Sequence, residues 1–263
     1  MSTYAVGSVL GDYRALTHLL DRIGFDPLAD RLWFAGNLVD GGGESLAVLR
    51  LVKSLGKSAV AVLGDRELQL LACAAGVHHG TGNWQAILDA SDGAELMKWL
   101  RQRSLVHHDS KLGYTLVHAG IPSEWTFSQA LTFAYEVESA LSGSHFQAFM
   151  ENRQQDQSRW HAKLRGWKRL NFIANALTAI LYCNEQGKLD FTAQGAVSDR
   201  SDNLLPWYRL PNRQTANLQI IYADDTGFND VPYPGILPLT AGKVLSAIKL
   251  EPVPEYISVG RGC

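Results

Sequence analysis

Three short apolar runs near the N-terminus each stop at a glycine, and each is followed by residues at helical spacing. Tyr4-Ala5-Val6 runs into Gly7, Arg31-Leu32-Trp33-Phe34-Ala35 into Gly36, and the stretch Ser58 to Leu63 into Gly64. Leu16, Leu19, Leu20 and Ile23 then form one helical face ending before Gly24. Leu46, Val48, Leu49, Leu51, Val52 and Leu55 form a second, closed by Gly56, and Glu67 to Ala75 reads as a third helix. This βαβαβα succession calls for a parallel sheet covered by helices. In such sheets ligands sit beyond the carboxyl ends of the strands. Chemistry is therefore expected at Gly7–Gly11, Gly36–Gly43, Gly64–Glu67 and, from a later strand, His118-Ala119-Gly120.

The rest of the chain alternates less regularly. Ala94 to Ser104 reads as a helix. Leu105 to His108 and Tyr114 to His118 read as strands joined by Asp109-Ser110-Lys111-Leu112-Gly113. Phe127 to Met150 is mostly helical, and Gln154 to Trp167 is polar with embedded tryptophans. Ala179 to Tyr182, Leu189 to Phe191, Leu218 to Tyr222, Val244 to Leu250 and Tyr256 to Val259 read as strands. Their Pro-, Gly- and Asn-rich neighbours suggest antiparallel connections. With 46% hydrophobic residues there is enough for a sizeable core, and the simplest organisation is one domain over 1–263 with a helical insertion at about 127–170.

Charge and cysteine usage exclude several classes. Lys plus Arg number 24 against 26 Asp plus Glu, a formal charge of −2. No broad basic surface for nucleic acid is expected. No run approaches the roughly 18 apolar residues of a membrane span, and no signal peptide is apparent. Cys73, Cys183 and Cys263 have no metal-ligand spacing, so a cytoplasmic setting is expected. The pairs His78-His79 and His107-His108 have no partner motif, and Trp125, Trp160 and Trp167 read as packing residues.

The strand-end segments, together with Ser45 to Gly56, His118-Ala119-Gly120-Ile121-Pro122-Ser123-Glu124-Trp125, Leu164-Arg165-Gly166 and Phe172-Ile173-Ala174-Asn175-Ala176, resemble the calcineurin-like metallophosphoesterases. Among these the chain is most similar to the bacterial symmetrical diadenosine tetraphosphate hydrolases. The resemblance implies a four-layer αββα sandwich. It also implies a site in which two metal ions bind phosphate and activate a water.

Residue by residue, the resemblance places Ser8 at the first Asp of the family's pattern, Leu10 at the first His and Asn37 at the bridging Asp. Asp65 falls on the Asn ligand, Arg66 on the proton-donating His, Gly41 on the phosphate-clamping Arg and Asp224 on the last His. His118 alone is unchanged. Two carboxylates without a metal would repel one another, and Ser8 and Asn37 remove that repulsion. The expectation is thus a pseudo-enzyme with a protein-binding or structural role and an unknown protein partner. No metal cofactor is expected, or at most one weakly bound Mn or Mg ion near Asp65, His118 and Asp224. Two alternatives stand beside it. One is a metal-free sensor binding adenine nucleotide or phosphate through Arg66, Asn37 and His118, aided by helix N-termini. The other is an active dinucleoside polyphosphate hydrolase with an atypical metal site.

Overall fold

The structure, a computed structural model, describes residues 1–40, 43–78, 83–154, 159–191, 193, 203–224, 233–240 and 242–261. The N-terminal third folds as its pattern demands. Strands β1 (Thr3–Val6), β2 (Arg31–Phe34) and β3 (Ala59–Ala61) are parallel neighbours, Ala5 opposite Trp33 and Phe34 opposite Ala61. Helices α1 (Tyr13–Ile23), α2 (Ser45–Ser54) and α3 (Asp65–Ala74) follow them in turn. Asp12 caps α1 by accepting the N–H of Ala15 at 2.8 Å, and Gly24 ends it at φ +60°, a left-handed position that favours glycine.

After α4 (Asn83–Leu88) and α5 (Gly93–Leu100), β4 (Val106–Asp109) and β5 (Tyr114–Val117) form an antiparallel hairpin. Then come α6 (Phe127–Ser142), α7 (Phe146–Glu151) and α8 (Gly166–Ala179). The strands β6 (Tyr182–Asn184), β7 (Leu189–Asp190) and β8 (Leu204–Pro206) make a small sheet of their own. The last strands are β9 (Gln219–Asp224), β10 (Ile236–Thr240), β11 (Val244–Lys249) and β12 (Glu255–Gly260).

Two mixed sheets result, ordered β12-β11-β1-β2-β3 and β10-β9-β5-β4. Ala5, Trp33, Ala35 and Ile248 of the first meet Leu116, Ile221, Ala223 and Leu239 of the second in an apolar layer between them. The alternate residues Tyr4, Val6, Leu32 and Phe34 face outward to a larger core that includes Leu16, Leu19, Val48 and Leu49 of α1 and α2. The expected sandwich of helices over two mixed sheets is present.

Three expectations need correction. The closing strands are not all antiparallel: β9 runs parallel to both β5 and β10. Ala179 ends a helix, α8, instead of starting a strand. The stretch 171–178 of α8 is buried on every side, so it carries no amphipathic period to read. The third is the number of closing strands, to which the structure adds β10; it contains Pro238 and lies at a sheet edge, where a missing N–H is tolerated.

Candidate active site

The carboxyl ends of β1, β2, β3 and β5 converge as expected, and backbone bonds tie their loops together. Leu10 N donates to Asn37 O at 2.8 Å and Gly11 N to Leu38 O at 2.9 Å. Leu10 and Asn37 hold φ of +57° and +50°. Leucine rarely adopts this left-handed conformation, so the loop is strained where the ligand site is expected. Arg261, just past β12, donates to the backbone oxygens of Ser8 and of Val9 (2.6 Å) and lies 3.8 Å from Asp12.

Glu67 organises the centre, a role that sequence reasoning missed. It is fully buried on the first turn of α3. One carboxylate oxygen accepts the N–H groups of Asn37 and Gly64, both at 2.8 Å. The other accepts those of Leu38 (2.8 Å) and Val39 (3.3 Å). Burial pushes its carboxyl up, and the surrounding N–H donors and His118 oppose that. Gly64 allows the close approach: a Cβ there would meet Asn37 Oδ1 at 2.3 Å.

Around this brace lie four of the expected residues. His118 is buried, its Nδ1 donating to Ala35 O at 2.6 Å and its Nε2 facing the Asp65 carboxylate at 3.5 Å. Burial would raise the Asp65 carboxyl, but the His118 bond and charge, Asn37 and Arg66 outweigh it and hold it below the usual range. Asn37 Oδ1 accepts the N–H of Arg66 at 3.2 Å. The Arg66 guanidinium reaches outward to 3.6 Å from Asp40. The expected open N–H groups at the start of α3 are therefore partly spoken for: Gly64 N bonds Glu67, and Arg66 N bonds Asn37.

Beside this centre opens a cleft of about 540 Å³, with Asp40, Asp65, Arg66, Trp84, Arg153 and Asn175 among its walls. Of the ligand-binding candidates, Arg66 lines it, while Asn37 and His118 lie buried behind. Ser8 is buried in its loop and Leu10 is half-buried. Asp224 is buried at the end of β9, whose Ala223 N–H donates to His118 O at 2.8 Å. Asp65, His118 and Asp224 are not gathered into one donor set: among the described residues no group of three His, Cys, Asp or Glu side chains is placed to hold a metal ion. Gly41, Gly42, His79, Asp225 and Cys263 lie outside the described residues. His107 packs edge-on to Trp33, and His108 pairs with Thr115 at 3.0 Å. Trp125 and Trp160 join Phe133 and Phe172 in an aromatic core cluster, as packing residues should.

Residues 3–192 match the model of the calcineurin-like phosphoesterases. The chain belongs to that family. A bis(5'-nucleosyl)-tetraphosphatase, symmetrical, of Thioalkalivibrio sulfidiphilus is 43% identical over 225 residues, 84% of this chain and 83% of its own. The protein of the same name from Dechloromonas aromatica is 40% identical over 95% of this chain and 93% of its own. The solved structure of a cold-active protein-tyrosine phosphatase from a psychrophilic Shewanella superposes with a TM-score of 0.58 at 13% identity. It covers 97% of this chain and 80% of that one, and it supports the fold alone.

These findings overturn two expectations. Relatives near 40% identity over nearly the whole chain bear the name of an active hydrolase, so the pseudo-enzyme reading is withdrawn. Members of this family are typically dinuclear metal-dependent, so the expectation of no cofactor, or of one weakly held ion, is withdrawn too. The described side chains, for their part, do not fit a two-ion cage. Asp65 and His118 converge with the Asn37 amide beside them, and no third His, Cys, Asp or Glu among the described residues joins them in a donor set.

Proposed function

We propose that this protein hydrolyses dinucleoside polyphosphates, splitting a bis(5'-nucleosyl) tetraphosphate and one water into two nucleoside diphosphates. The observation that carries this reading is the match to symmetrical tetraphosphatases at 37–40% identity over 95% of the chain. The cleft suits the substrate class. Its volume of about 540 Å³ lies within the ordinary range for small-molecule sites, and it sits at the strand ends. Arg66 offers a charged donor to a phosphate oxygen. Asp65, ionised at neutral pH, accepts from a water and orients it toward the bound phosphorus. His118 holds that carboxylate from behind, its own ring fixed on Ala35 O.

Cys73 and Cys183 are free, buried thiols, which suits the reducing cytoplasm that we take as its compartment. No helix among the described residues is long and apolar enough to cross a membrane.

The test is turnover of diadenosine tetraphosphate in the presence of manganese, with products separated by anion-exchange chromatography. ADP should be the only nucleotide product, two per substrate consumed. Turnover no faster than buffer with manganese, cobalt or magnesium overturns the reading, and AMP with ATP as products overturns its symmetry.

A further inference from the structure

The cleft contains a second guanidinium that the strand-end residues do not explain. Arg153 follows α7 and donates from Nη1 to Asn171 Oδ1 at 3.3 Å and from Nη2 to Asn175 Oδ1 at 3.0 Å. Both asparagines lie on α8, one turn apart, and are 1% exposed. Their orientation is fixed from the other end. Asn171 Nδ2 donates to Asn152 O at 2.6 Å, and Asn175 Nδ2 to Gln154 O at 2.8 Å, so both amide oxygens must face the arginine. Two buried carboxamides thus serve to aim one guanidinium.

What they do not do is neutralise it. No carboxylate pairs with Arg153 among the described residues; its other neighbour is the Phe149 ring, 5.6 Å away. Arg153 is half-buried, yet burial pushes its guanidinium down to about 10. The two facts fit a group walled in by protein on most sides and open on one, and the open side is the cleft. The group stays charged at neutral pH. A buried cation kept only for structure is ordinarily given an anionic partner, because an uncompensated charge is costly. Arg169 shows the ordinary solution here, with Glu136 at 2.6 Å. On the same cleft, Arg66 supplies a second cation, and the nearby α3 amides are partly occupied by Glu67 and Asn37. The positive charge available to a ligand therefore comes from side chains on two different elements.

We propose that Arg153, aimed by Asn171 and Asn175, is a substrate-binding residue that grips the polyphosphate chain of the ligand together with Arg66. A guanidinium fork matches paired phosphate oxygens, and a cleft cation without a carboxylate keeps its full attraction for them. This rests on the proposed reading of the cleft as a phosphate-ester site and adds the residue that discriminates long phosphate chains from single phosphates.

The experiment titrates the purified protein calorimetrically with inorganic tripolyphosphate and with inorganic phosphate at neutral pH. It compares the natural protein with Arg153→Gln, Arg153→Lys and Asn175→Asp, and runs diadenosine tetraphosphate kinetics in parallel. Tripolyphosphate should bind the natural protein more tightly than phosphate. Arg153→Gln should weaken tripolyphosphate about tenfold or more and raise KM with little change in kcat. Arg153→Lys should fall between. Asn175→Asp keeps the arginine but gives it a carboxylate, so it too should bind weakly; it carries the test if Arg153→Gln fails to fold. Unchanged tripolyphosphate affinity in the folded variants, or no binding by the natural protein, overturns the proposal. If no protein turns over the dinucleotide but tripolyphosphate binding still depends on Arg153, the hydrolase reading fails and the anion site stands. Turnover with affinity indifferent to Arg153 has the opposite meaning.

Discussion

Glu67→Gln is the sharpest probe of how the site is held. The natural carboxylate accepts four backbone N–H groups, two on each oxygen, from Asn37, Leu38, Val39 and Gly64. Glutamine keeps one oxygen and turns the other into an N–H₂ group, which then faces two N–H donors it cannot satisfy. Leaving a buried donor unsatisfied costs about 1–3 kcal/mol each. Two such losses, less the relief of no longer burying a charge that burial itself disfavours, give a net destabilisation of about 3 kcal/mol. For a chain of this size that lowers Tm by about 9 °C, at roughly 3 °C per kcal/mol. The assay is thermal unfolding followed by far-ultraviolet circular dichroism at neutral pH. Glu95→Gln serves as control: its ion pair with Lys53 is surface-exposed, so its loss should shift Tm by only about 1 °C. If Glu67→Gln melts within about 1 °C of the natural protein, the four-donor brace does not contribute what its geometry implies.

Two further outcomes follow from the electrostatics. The Cys183 thiol, pushed up to about 12 by burial, should resist iodoacetamide in the native protein and react fully once unfolded in urea; mass spectrometry showing native-state alkylation would contradict its placement. Asp65 is held below the usual carboxylate range, so its stabilisation is complete above its unfolded pKa of about 3.9 and is lost as pH falls through the lower folded value. Asp65→Asn should therefore melt below the natural protein at neutral pH and converge with it in acid, and parallel Tm-versus-pH curves would refute this.

Much of the frame was legible because its signals are local. Apolar runs ending at Gly7, Gly36 and Gly64 mark three strand ends, and the rule that ligands bind there directs attention to Asp65, Arg66 and His118, which the structure brings close together. Glu67 stood next to Arg66 in plain view, but nothing in the letters says that a glutamate is buried. Only the convergence of four N–H groups from two loops makes that position tolerable for a carboxylate. The α8 helix was hidden for a different reason. A helix buried all round loses the 3.6-residue period, and with it went any clue that Asn171 and Asn175 share a face.

The functional misreading has the same root. Taking the departures at Ser8, Leu10, Asn37, Gly41 and Arg66 together as loss of function treats a phosphate site as the sum of its strand-end motifs. A polyphosphate chain, however, carries several charges spread over a length that no single loop spans, so its binding depends on cations set apart on different elements. Arg66 comes from the start of α3, and Arg153 from the chain leading away from α7, more than eighty residues later. The packing of α3, α7 and α8 brings both to the walls of one cleft. A motif-by-motif reading counts what the strand ends present and is blind to what the helices bring across from the other side. The relatives that overturn the pseudo-enzyme reading match over most of the chain, helices included, and not at the strand-end positions alone.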